Sequence, residues 1–282
     1  MTKHIPVLLH DVMAALGDLR GRRIIDATFG AGGYTRAFLE AGAAVTAFDR
    51  DPNVTDDAAQ IAAEYGERFN FIPRPFSAMA ELNDTYDAVV FDLGISSMQI
   101  DIPGRGFSFR ADGPLDMRMS ANGLSAADLI EQADVSTLAD ILRDYGDIKK
   151  ATVLARAIKA ALPKTTMQLR DLIHVPRDVA PVFQALRIAV NDEMGEVRRA
   201  LDAVPGLLVP GGKCICVTFH SLEDRIVKNT FRAWTTAPGD PRMPAVAAAP
   251  FSMIAPKTPA AAELENNPRA RSAHMRGVIK SY

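Results

Sequence analysis

Residues 24–35 read Ile-Ile-Asp-Ala-Thr-Phe-Gly-Ala-Gly-Gly-Tyr-Thr, an apolar run that ends in a turn with three glycines. Glycine lets a backbone approach a ligand closely and adopts φ values that other residues avoid. A helix that begins after such a turn presents free N–H groups and the positive end of its dipole. The stretch therefore predicts a strand, a ligand-binding turn and a helix, which together open an α/β fold.

A second apolar run, residues 44–48, ends in Asp49. In nucleoside-binding α/β folds an acid about 20 residues after the glycines accepts hydrogen bonds from ribose hydroxyls. The spacing Gly30-x-Gly32-Gly33 differs from the dinucleotide pattern G-x-G-x-x-G. Asp26, just before the turn, suits the ammonium group of S-adenosyl-L-methionine. The pattern favours a site for that cofactor, and a nicotinamide or other nucleotide fold remains the alternative.

The whole chain has the composition of an ordinary globular protein. It has 282 residues, of which 48% are apolar and 23% charged, and its net charge is −2 at pH 7. This balance excludes a polycation, so any nucleic-acid surface must come from local clustering of charge. Cys214 and Cys216 predict buried reduced thiols. Because no signal pattern and no apolar run of membrane-spanning length is found, we expect a cytoplasmic protein without a membrane partner.

Strands and helices alternate through the first part of the chain, which predicts a parallel sheet with right-handed crossovers. The predicted strands are residues 23–28, 44–49, 69–72 and 86–93. Ligands of such sheets bind at the carboxyl ends of the strands. The glycine turn, Asp49, Phe76 and Asp92 all fall at those ends, so we expect one pocket to gather them.

The alternation stops after Asp92, and a helical region follows. Residues 94–119 form a long glycine-rich stretch with three arginines and two phenylalanines. Ser125 and Ser136 are predicted to cap helices, and residues 181–204 carry the apolar spacing of one long helix. We therefore predict that residues 105–205 form an all-helical insertion domain, to which the family resemblance described below assigns recognition of the substrate.

After residue 206 the chain is predicted to return to the sheet. A fifth strand is expected at residues 213–218, followed by a helix that Ser221 caps. The end of the chain is predicted to form the antiparallel edge strand of the sheet. The predicted core domain thus consists of residues 1–104 and 206–282.

The sequence also suggests two other kinds of site. His220 beside Ser221 suggests a hydrolase, but sequence neighbours rarely form a triad and G-x-S-x-G is absent, so capping is the favoured interpretation. Several acids could bind a metal: Asp26, Asp49, Asp92 and Asp101. They are spread over four predicted strand ends, and contacts to ribose and ammonium explain them with less strain. No metal is therefore expected.

Basic and aromatic residues of the glycine-rich stretch suit phosphate contact and base stacking. These residues are Arg105, Phe107, Phe109, Arg110 and Arg118. Salt bridges from the arginines to Asp112 and Asp116 are the equal alternative. The tail that contains Arg269 and Arg271 has several cations and no acids, so it is a second candidate for phosphate contact.

Together these features closely resemble the bacterial small-subunit rRNA cytosine-N4 methyltransferases, the RsmH (MraW) family. The matching stretches run in order along the chain: His4–Leu9, Asp26–Gly33, Phe48–Pro52, Asp92–Gln99, Arg105–Phe109, Asp112–Met119, Phe183–Glu193, Phe219–Arg225 and Asn267–Ser272. The run Asp-Gly-Pro-Leu-Asp-Met-Arg-Met at residues 112–119 is the most peculiar to this family. The family usually has histidine in place of Tyr34, and more often lysine in place of His274.

The resemblance implies an α/β fold: a class I S-adenosylmethionine-dependent methyltransferase (Rossmann-like) sheet with an inserted all-helical domain. It implies methylation of the N4 amine of a decoding-centre cytidine in 16S rRNA, within the small ribosomal subunit. A non-catalytic RNA-binding module and a nicotinamide oxidoreductase are the rival hypotheses. The oligomeric state stays open, with a homodimer as one alternative.

Residue roles follow from the motifs and the resemblance together. The expected cofactor-binding residues are Asp26, Gly30, Gly32, Gly33, Tyr34, Asp49, Phe76, Asp92 and Gln99. Asp92 is the first candidate for an acceptor near the target amine, because other amino-methyltransferases place an acid or amide after strand four. Asp116 and Asn191 are weaker catalytic candidates. The cytidine is expected to leave its stack, with Phe107 or Phe109 as a stacking surface.

Overall fold

The computed structural model describes residues 6–120, 122–237 and 248–282. The chain divides into two compact units, a core unit of residues 1–94 and 194–282 and a helical unit of residues 95–193. His4 and Ile5, the start of the first family-like stretch, lie outside the described residues. Both ends of the helical unit precede the predicted boundaries at residues 105 and 205.

One seven-stranded sheet organises the core unit, in the order β3-β2-β1-β4-β5-β7-β6. Its strands are β1 (Arg23–Asp26), β2 (Ala44–Phe48), β3 (Phe69–Ile72), β4 (Tyr86–Asp92), β5 (Leu208–Thr218), β6 (Phe251–Lys257) and β7 (His274–Lys280). The first five pair in parallel, and β7 is antiparallel to both β5 and β6. This topology confirms the class I methyltransferase sheet.

The predicted position of the last strand, β7, is wrong by one place in the sheet. The last strand, β7, is antiparallel as predicted, but β6 pairs on its far side and forms the edge of the sheet. Only the first residue of β6, Phe251, is buried, and the residues after it are largely exposed. A strand with so little apolar periodicity gives a weak sequence signal, because its position depends on pairing and not on burial.

The order of the strands also places a binding cleft. The chain winds outward from β1 through β2 to β3 and then returns to the other side of β1 at β4. In open α/β sheets the ligand binds at such a switch point, beyond the carboxyl ends of the strands. Strand β4 is apolar almost throughout and buried along most of its length, as expected for a parallel strand that is covered on both faces.

Twelve α-helices are found in the described residues. They are α1 (Leu9–Leu16), α2 (Gly33–Glu40), α3 (Thr55–Tyr65), α4 (Ser97–Asp101), α5 (Ala126–Gln132), α6 (Val135–Gly146), α7 (Ala151–Ala161), α8 (Thr166–Asp171), α9 (Val179–Asn191), α10 (Glu193–Leu207), α11 (Ser221–Trp234) and α12 (Ala261–Asn266). Across the ranges given above, none of them is long and apolar enough to cross a membrane.

The predicted helix over residues 181–204 is in fact two helices, α9 and α10. Asp192 adopts a left-handed conformation with φ 47°, which ends α9 before α10 begins. The apolar face of α10 then packs against the sheet through Val197, Leu201 and Val204, so this helix belongs to the core unit. The apolar spacing continues through both helices, which is why periodicity alone does not reveal the break.

Two predicted helix caps are off by one or two residues. Ser125 caps α5 in a capping box with Asp128, as predicted. By contrast, Asp134 and not Ser136 caps α6, and His220 and not Ser221 caps α11. In each case the true cap is the residue whose side chain accepts the N–H three positions along the chain, which several neighbouring polar residues could do.

Candidate active site

Asp26 ends β1 and is buried at the carboxyl end of the sheet, with 1% exposure. One carboxylate oxygen accepts the Thr35 hydroxyl proton at 2.6 Å, and the other accepts the Thr28 N–H at 3.2 Å. Burial raises the pKa of Asp26 to about 6. Since both partners are neutral groups, the carboxylate would gain from a cationic ligand.

The turn after Asp26 requires its glycines. Gly30 and Gly32 have φ values of 53° and 74°, which favour glycine. A Cβ atom on Gly32 would lie 2.7 Å from Cδ1 of Ile61 and 3.1 Å from the ring of Phe29. Gly32 is the N-cap of α2 and provides no side-chain cap. The first N–H groups of this helix therefore have no intrahelical partner and suit a polar or anionic ligand group.

The start of α2 also contacts the beginning of the chain. A Cβ atom on Gly33 would lie 2.4 Å from Cγ of Pro6, so only glycine allows this approach. The Tyr34 side chain is buried, and its hydroxyl donates a hydrogen bond to the carbonyl oxygen of Val7. Because the phenol is engaged in this way, a cofactor contact at Tyr34 would use its backbone N–H.

Asp49 follows β2 and connects that strand to the glycine turn. Its carboxylate accepts the N–H of Gly30 at 2.8 Å and the N–H of Asp51 at 2.9 Å. The residue is half-buried, and desolvation raises the pKa of its carboxyl. Each oxygen keeps a lone pair, so the side chain could still accept hydrogen bonds from a ribose.

Asp92 is the last residue of β4, and its backbone N–H donates to the Thr28 hydroxyl at 2.7 Å. Its Oδ1 atom is buried and receives no hydrogen bond from the described residues. Burial raises the pKa of Asp92 well above its usual range, and the negative charges of Asp26 and Glu223 add to this effect. An orphaned carboxylate oxygen beside the glycine turn is therefore available to a ligand.

Phe76 begins a short 3-10 turn after β3 and is half-buried. Its ring meets the ring of Phe91 edge to face, with centroids 5.7 Å apart. The next residue, Ser77, donates its N–H to Oε2 of Glu196 at 3.4 Å, so α10 supports this turn. Phe76 thus has a fixed ring on the side of the switch point where an adenine is expected.

Gln99 lies in the helical unit, whereas the other expected cofactor residues lie in the core unit. Its side chain closes a capping box at α4, where Oε1 accepts the Ser96 N–H at 3.1 Å. The residue is 6% exposed. The structure therefore shows a structural use of Gln99, and its expected cofactor contact stays a prediction.

His220 and Glu223 form a second polar group just beyond β5 that the sequence did not assign to the site. The His220 Nδ1 atom accepts the Glu223 N–H at 3.5 Å, and the His220 Nε2 atom lies 3.0 Å from Oε1 of Glu223. Glu223 is 1% exposed, and its Oε2 accepts the Phe219 N–H at 2.9 Å. The available signal was a histidine followed three residues later by glutamate at a strand end, which is the pattern of a capping box.

In the helical unit Asp116 is paired and is a poor base. The Arg118 guanidinium binds it bidentately, with Nε–Oδ1 at 2.9 Å and Nη2–Oδ2 at 2.7 Å. Arg118 holds the pKa of this carboxyl below its usual value. The salt-bridge alternative thus describes Asp116 and Arg118, whereas Asp112 instead accepts the N–H of Met167 at 3.1 Å.

Asn191 hydrogen bonds to the loop that contains the family-like run of residues 112–119. Its amide donates to the carbonyl oxygens of Met117 at 2.7 Å and Arg187 at 2.9 Å, and its Oδ1 accepts the Met119 N–H at 2.8 Å. Met117 has a positive φ of 61°, a strained conformation that these bonds stabilise. Both amide protons are used within the helical unit, and the expected role of Asn191 near the target amine stays a prediction.

Arg105 and Phe107 also support this loop and do not form a free surface. The Arg105 guanidinium donates to the carbonyl oxygens of Arg118 at 2.9 Å and Met119 at 3.2 Å. It lies 5.7 Å from the ring centroid of Phe107, which is 7% exposed within the core of the helical unit. The Phe107 ring is buried, and the expected stacking surface at Phe107 or Phe109 stays a prediction.

Three other predicted RNA contacts keep accessible side chains. Phe109 is half-buried, with its ring edge-on to Phe183 at 5.5 Å. Arg110 and Arg271 are exposed. The side chain of Arg269 lies outside the described residues. Phe109, Arg110 and Arg271 therefore remain the candidates for contact with a nucleic acid.

Comparison with known proteins identifies the family of this chain. The ribosomal RNA small subunit methyltransferase H of Sinorhizobium fredii is 47% identical over 299 residues, covering 99% of this chain and 88% of its own length. That of Gluconobacter oxydans is 45% identical, covering 98% and 93%. A crystal structure of an rRNA methylase from Streptococcus thermophilus has a TM-score of 0.44 at 14% identity, covering 100% of this chain and 99% of its own. The model of the MraW methylase family matches residues 1–281, and the chain therefore belongs to this family.

Proposed function

We propose that this protein transfers a methyl group from S-adenosyl-L-methionine to the N4 amine of a decoding-centre cytidine in 16S rRNA. The substrate class follows from relatives that are named ribosomal RNA small subunit methyltransferases. The observation that carries the reaction is the buried Oδ1 of Asp92, which lacks a hydrogen-bond donor in the described residues. An amine that offers N–H groups to this oxygen suits the site.

The donor set around the glycine turn fits the cofactor. The Asp26 carboxylate, with only neutral partners, would bind its ammonium group. The N–H groups at the start of α2 would bind its carboxylate, and Asp49 would accept its ribose hydroxyls. Phe76 would lie against its adenine. When bound, the cofactor supplies an electrophilic methyl group on a sulfonium sulfur, so catalysis consists largely of positioning the amine.

In this proposal Asp92 makes the target amine a better nucleophile. The N4 lone pair of cytosine is delocalised into the ring, which makes the amine a poor nucleophile. A hydrogen bond from N4–H to Oδ1 of Asp92 favours the pyramidal amine, and the carboxylate can then accept the proton that is released. The raised pKa of Asp92 suits this role, because a more basic carboxylate binds that proton more strongly.

Exposed side chains are the proposed contacts for the RNA. The target base leaves its stack to reach the methyl group, as in other enzymes that act on a base. Arg110 in the helical unit and Arg271 near β7 are exposed and suit phosphate contact, and Phe109 offers the remaining aromatic surface. The overall charge of −2 leaves this binding to local clusters.

The test is methyl transfer from labelled S-adenosyl-L-methionine to small ribosomal subunits from a strain that lacks this gene, followed by nucleoside mass spectrometry. We expect N4-methylcytidine that maps to the decoding region. Transfer to another atom or base would refute the proposal, as would intact cofactor binding with no transfer to the subunits.

A further inference from the structure

Two buried side-chain polar atoms have no hydrogen-bond partner within the described residues, Oδ1 of Asp92 and Nε2 of His220. They follow neighbouring parallel strands, since β4 ends at Asp92 and β5 ends at Thr218. Asp92 pairs in register with Val217, and the N–H of Leu93 donates to the Val217 carbonyl at 2.9 Å. Buried polar atoms nearly always have a hydrogen-bond partner. Two unpartnered atoms at the carboxyl end of one sheet therefore point to a ligand.

The surroundings of His220 decide which nitrogen carries its proton. Nδ1 accepts the N–H of Glu223 as the cap of α11, so Nδ1 is unprotonated and Nε2–H is a donor. Oε1 of Glu223 lies 3.0 Å from Nε2, but off the N–H direction, so no hydrogen bond forms.

The turn after β4 lies against the same group. A Cβ atom on Gly94 would be 3.5 Å from the Phe219 ring and 3.9 Å from Oε1 of Glu223. The negative charge of Glu223 is also among the causes of the raised pKa of Asp92. The residues that follow β4 and β5 thus form one polar cluster, with an acceptor on one strand end and a donor on the other.

Capping alone does not explain a histidine at position 220. Serine, threonine, aspartate and asparagine are the side chains that cap helices best. The imidazole satisfies the helix with one nitrogen and leaves the second one buried, with 12% of its side chain exposed. A residue whose only role was to cap the helix would not need a second buried donor such as Nε2–H.

We propose that Asp92 and His220 read the target base as a pair, with Asp92 accepting from N4–H and His220 Nε2–H donating to N3 of the cytosine. This inference rests on the proposed function, because it takes the flipped cytidine as the substrate. Flipped bases are read by hydrogen bonds along the Watson–Crick edge. Cytosine presents a donor and an acceptor there, whereas uracil presents O4 and N3–H, which oppose the pair at both positions.

Two substitutions at His220 separate base reading from capping. In His220→Asn the amide oxygen takes the place of Nδ1 and keeps the cap, but nothing occupies the position of Nε2. In His220→Gln the amide nitrogen takes the place of Nε2, while the longer side chain is a poor cap. We expect His220→Asn to keep the wild-type Tm and cofactor Kd while kcat/KM for small ribosomal subunits falls roughly 10- to 100-fold.

His220→Gln is expected to show the opposite pattern, with a lower Tm and a kcat/KM that stays within a few-fold of the wild type. A His220→Asn enzyme with wild-type kcat/KM would overturn the inference, and so would a His220→Gln enzyme as inactive as His220→Asn. Failure of the proposed function is recognised separately, because wild-type enzyme would then leave no N4-methylcytidine in the same subunits.

Discussion

Three carboxyl groups at the ends of β1, β2 and β4 lie where burial disfavours their charge. The pKa of each of Asp26, Asp49 and Asp92 is raised, and desolvation is the largest cause in all three. Hydrogen bonds from Thr28 and Thr35 partly offset the effect at Asp26, whereas Oδ1 of Asp92 has no donor in the described residues. Such clusters destabilise the free protein, and a cationic ligand would relieve them.

Asp26→Asn should stabilise the cofactor-free protein above pH 6. The folded-state pKa is about 6 against an ordinary value of 3.8, so the folded chain binds this proton more tightly than the unfolded chain. Stability is therefore lost as pH rises from about 4 to about 6, by up to roughly 3 kcal/mol. Urea unfolding of wild type and variant at pH 4 and pH 8 measures the difference.

The same variant should bind S-adenosyl-L-methionine more weakly, because it removes the charge that we propose binds the ammonium group. Asp84→Asn is the matched control, since Asp84 is 67% exposed and pairs with Arg23 at the surface. It should change neither stability nor affinity appreciably. An Asp26→Asn protein with the wild-type pH profile of stability would contradict the burial argument.

We expect the pH profile of kcat/KM to have an acid limb, a fall in activity at low pH, that is due to Asp92. Only the ionised carboxylate accepts N4–H and its proton, so activity should fall as the pH drops through the raised pKa of this group. The midpoint should lie above the usual carboxyl range of about 4. Asp92→Asn should lower kcat roughly 10²- to 10⁴-fold and remove the limb. A limb that persists in this variant would assign it to another group.

At the scale of elements, the join between β1 and α2 is the most constrained part of the core unit. The turn needs left-handed glycines, the helix has no side-chain cap, and Pro6 packs on its first residue. The N–H of Leu8 also donates to Oε1 of Glu263 in α12 at 2.7 Å, so segments far apart in sequence meet at this helix. Changes in this element should affect stability and cofactor binding together.

Gly32→Ala tests this constraint against Gly21→Ala. Both glycines have positive φ, 74° and 69°, but an added Cβ meets Ile61 at 2.7 Å in the first case and no atom within 4 Å in the second. Backbone strain should cost both variants about 1 kcal/mol, and crowding should cost Gly32→Ala roughly 1–3 kcal/mol more. Equal urea midpoints for the two proteins would show that the turn relaxes freely.

The end of α6 offers a stabilising change. Asp147 is exposed, follows the helix with φ 52°, and donates its N–H to the Arg143 carbonyl at 3.0 Å. Asp147→Gly removes the strain of the left-handed conformation and should raise the free energy of unfolding by about 0.5–1 kcal/mol. Arg156→Gly, in the middle of α7, should instead lower it by about 1 kcal/mol. Thermal unfolding distinguishes the two outcomes, and destabilisation by Asp147→Gly would contradict the strain argument.

For the molecule as a whole, binding to RNA must overcome a net charge of −2. Long-range attraction to a polyanion is therefore weak, and affinity depends on a few local cations. Arg105 and Arg118 hydrogen bond within the helical unit, so the exposed Arg110 and Arg271 are the clearer candidates. Their contribution should appear in the salt dependence of binding.

Arg110→Ala and Arg271→Ala should each weaken binding to small ribosomal subunits. Loss of one phosphate contact should lower the slope of log K against log salt by about 0.7–0.9. Arg20→Ala is the control, because Arg20 is 83% exposed on the side chain but precedes β1, at the opposite end of the sheet. Unchanged slopes in both test variants would exclude these residues from the interface.

Local sequence patterns determined the first strands of the sheet, the glycine turn and the positions of the acids at the strand ends. The apolar runs of β1 to β4, the glycine turn and the acids at the strand ends are short-range features, since burial, φ preference and strand ends follow from neighbours in sequence. The family-like motifs extended this to the class I methyltransferase sheet. Asp26, Asp49 and Asp92 lie at the carboxyl ends of their strands, as predicted.

Tertiary structure alone decided which polar groups are already satisfied. Asn191 and Arg105 look like candidate site residues in the sequence, but in the structure they hydrogen bond to the backbone of residues 118 and 119 in the helical unit. Asp116 is instead paired with the Arg118 side chain. The outer position of β6, the break at Asp192 and the burial of Phe107 likewise depend on packing between segments far apart in the chain. His220 is the clearest case, because its orphaned nitrogen exists only where β4 and β5 end side by side. Residue type and spacing specify local conformation, whereas hydrogen-bond satisfaction is a property of the assembled fold.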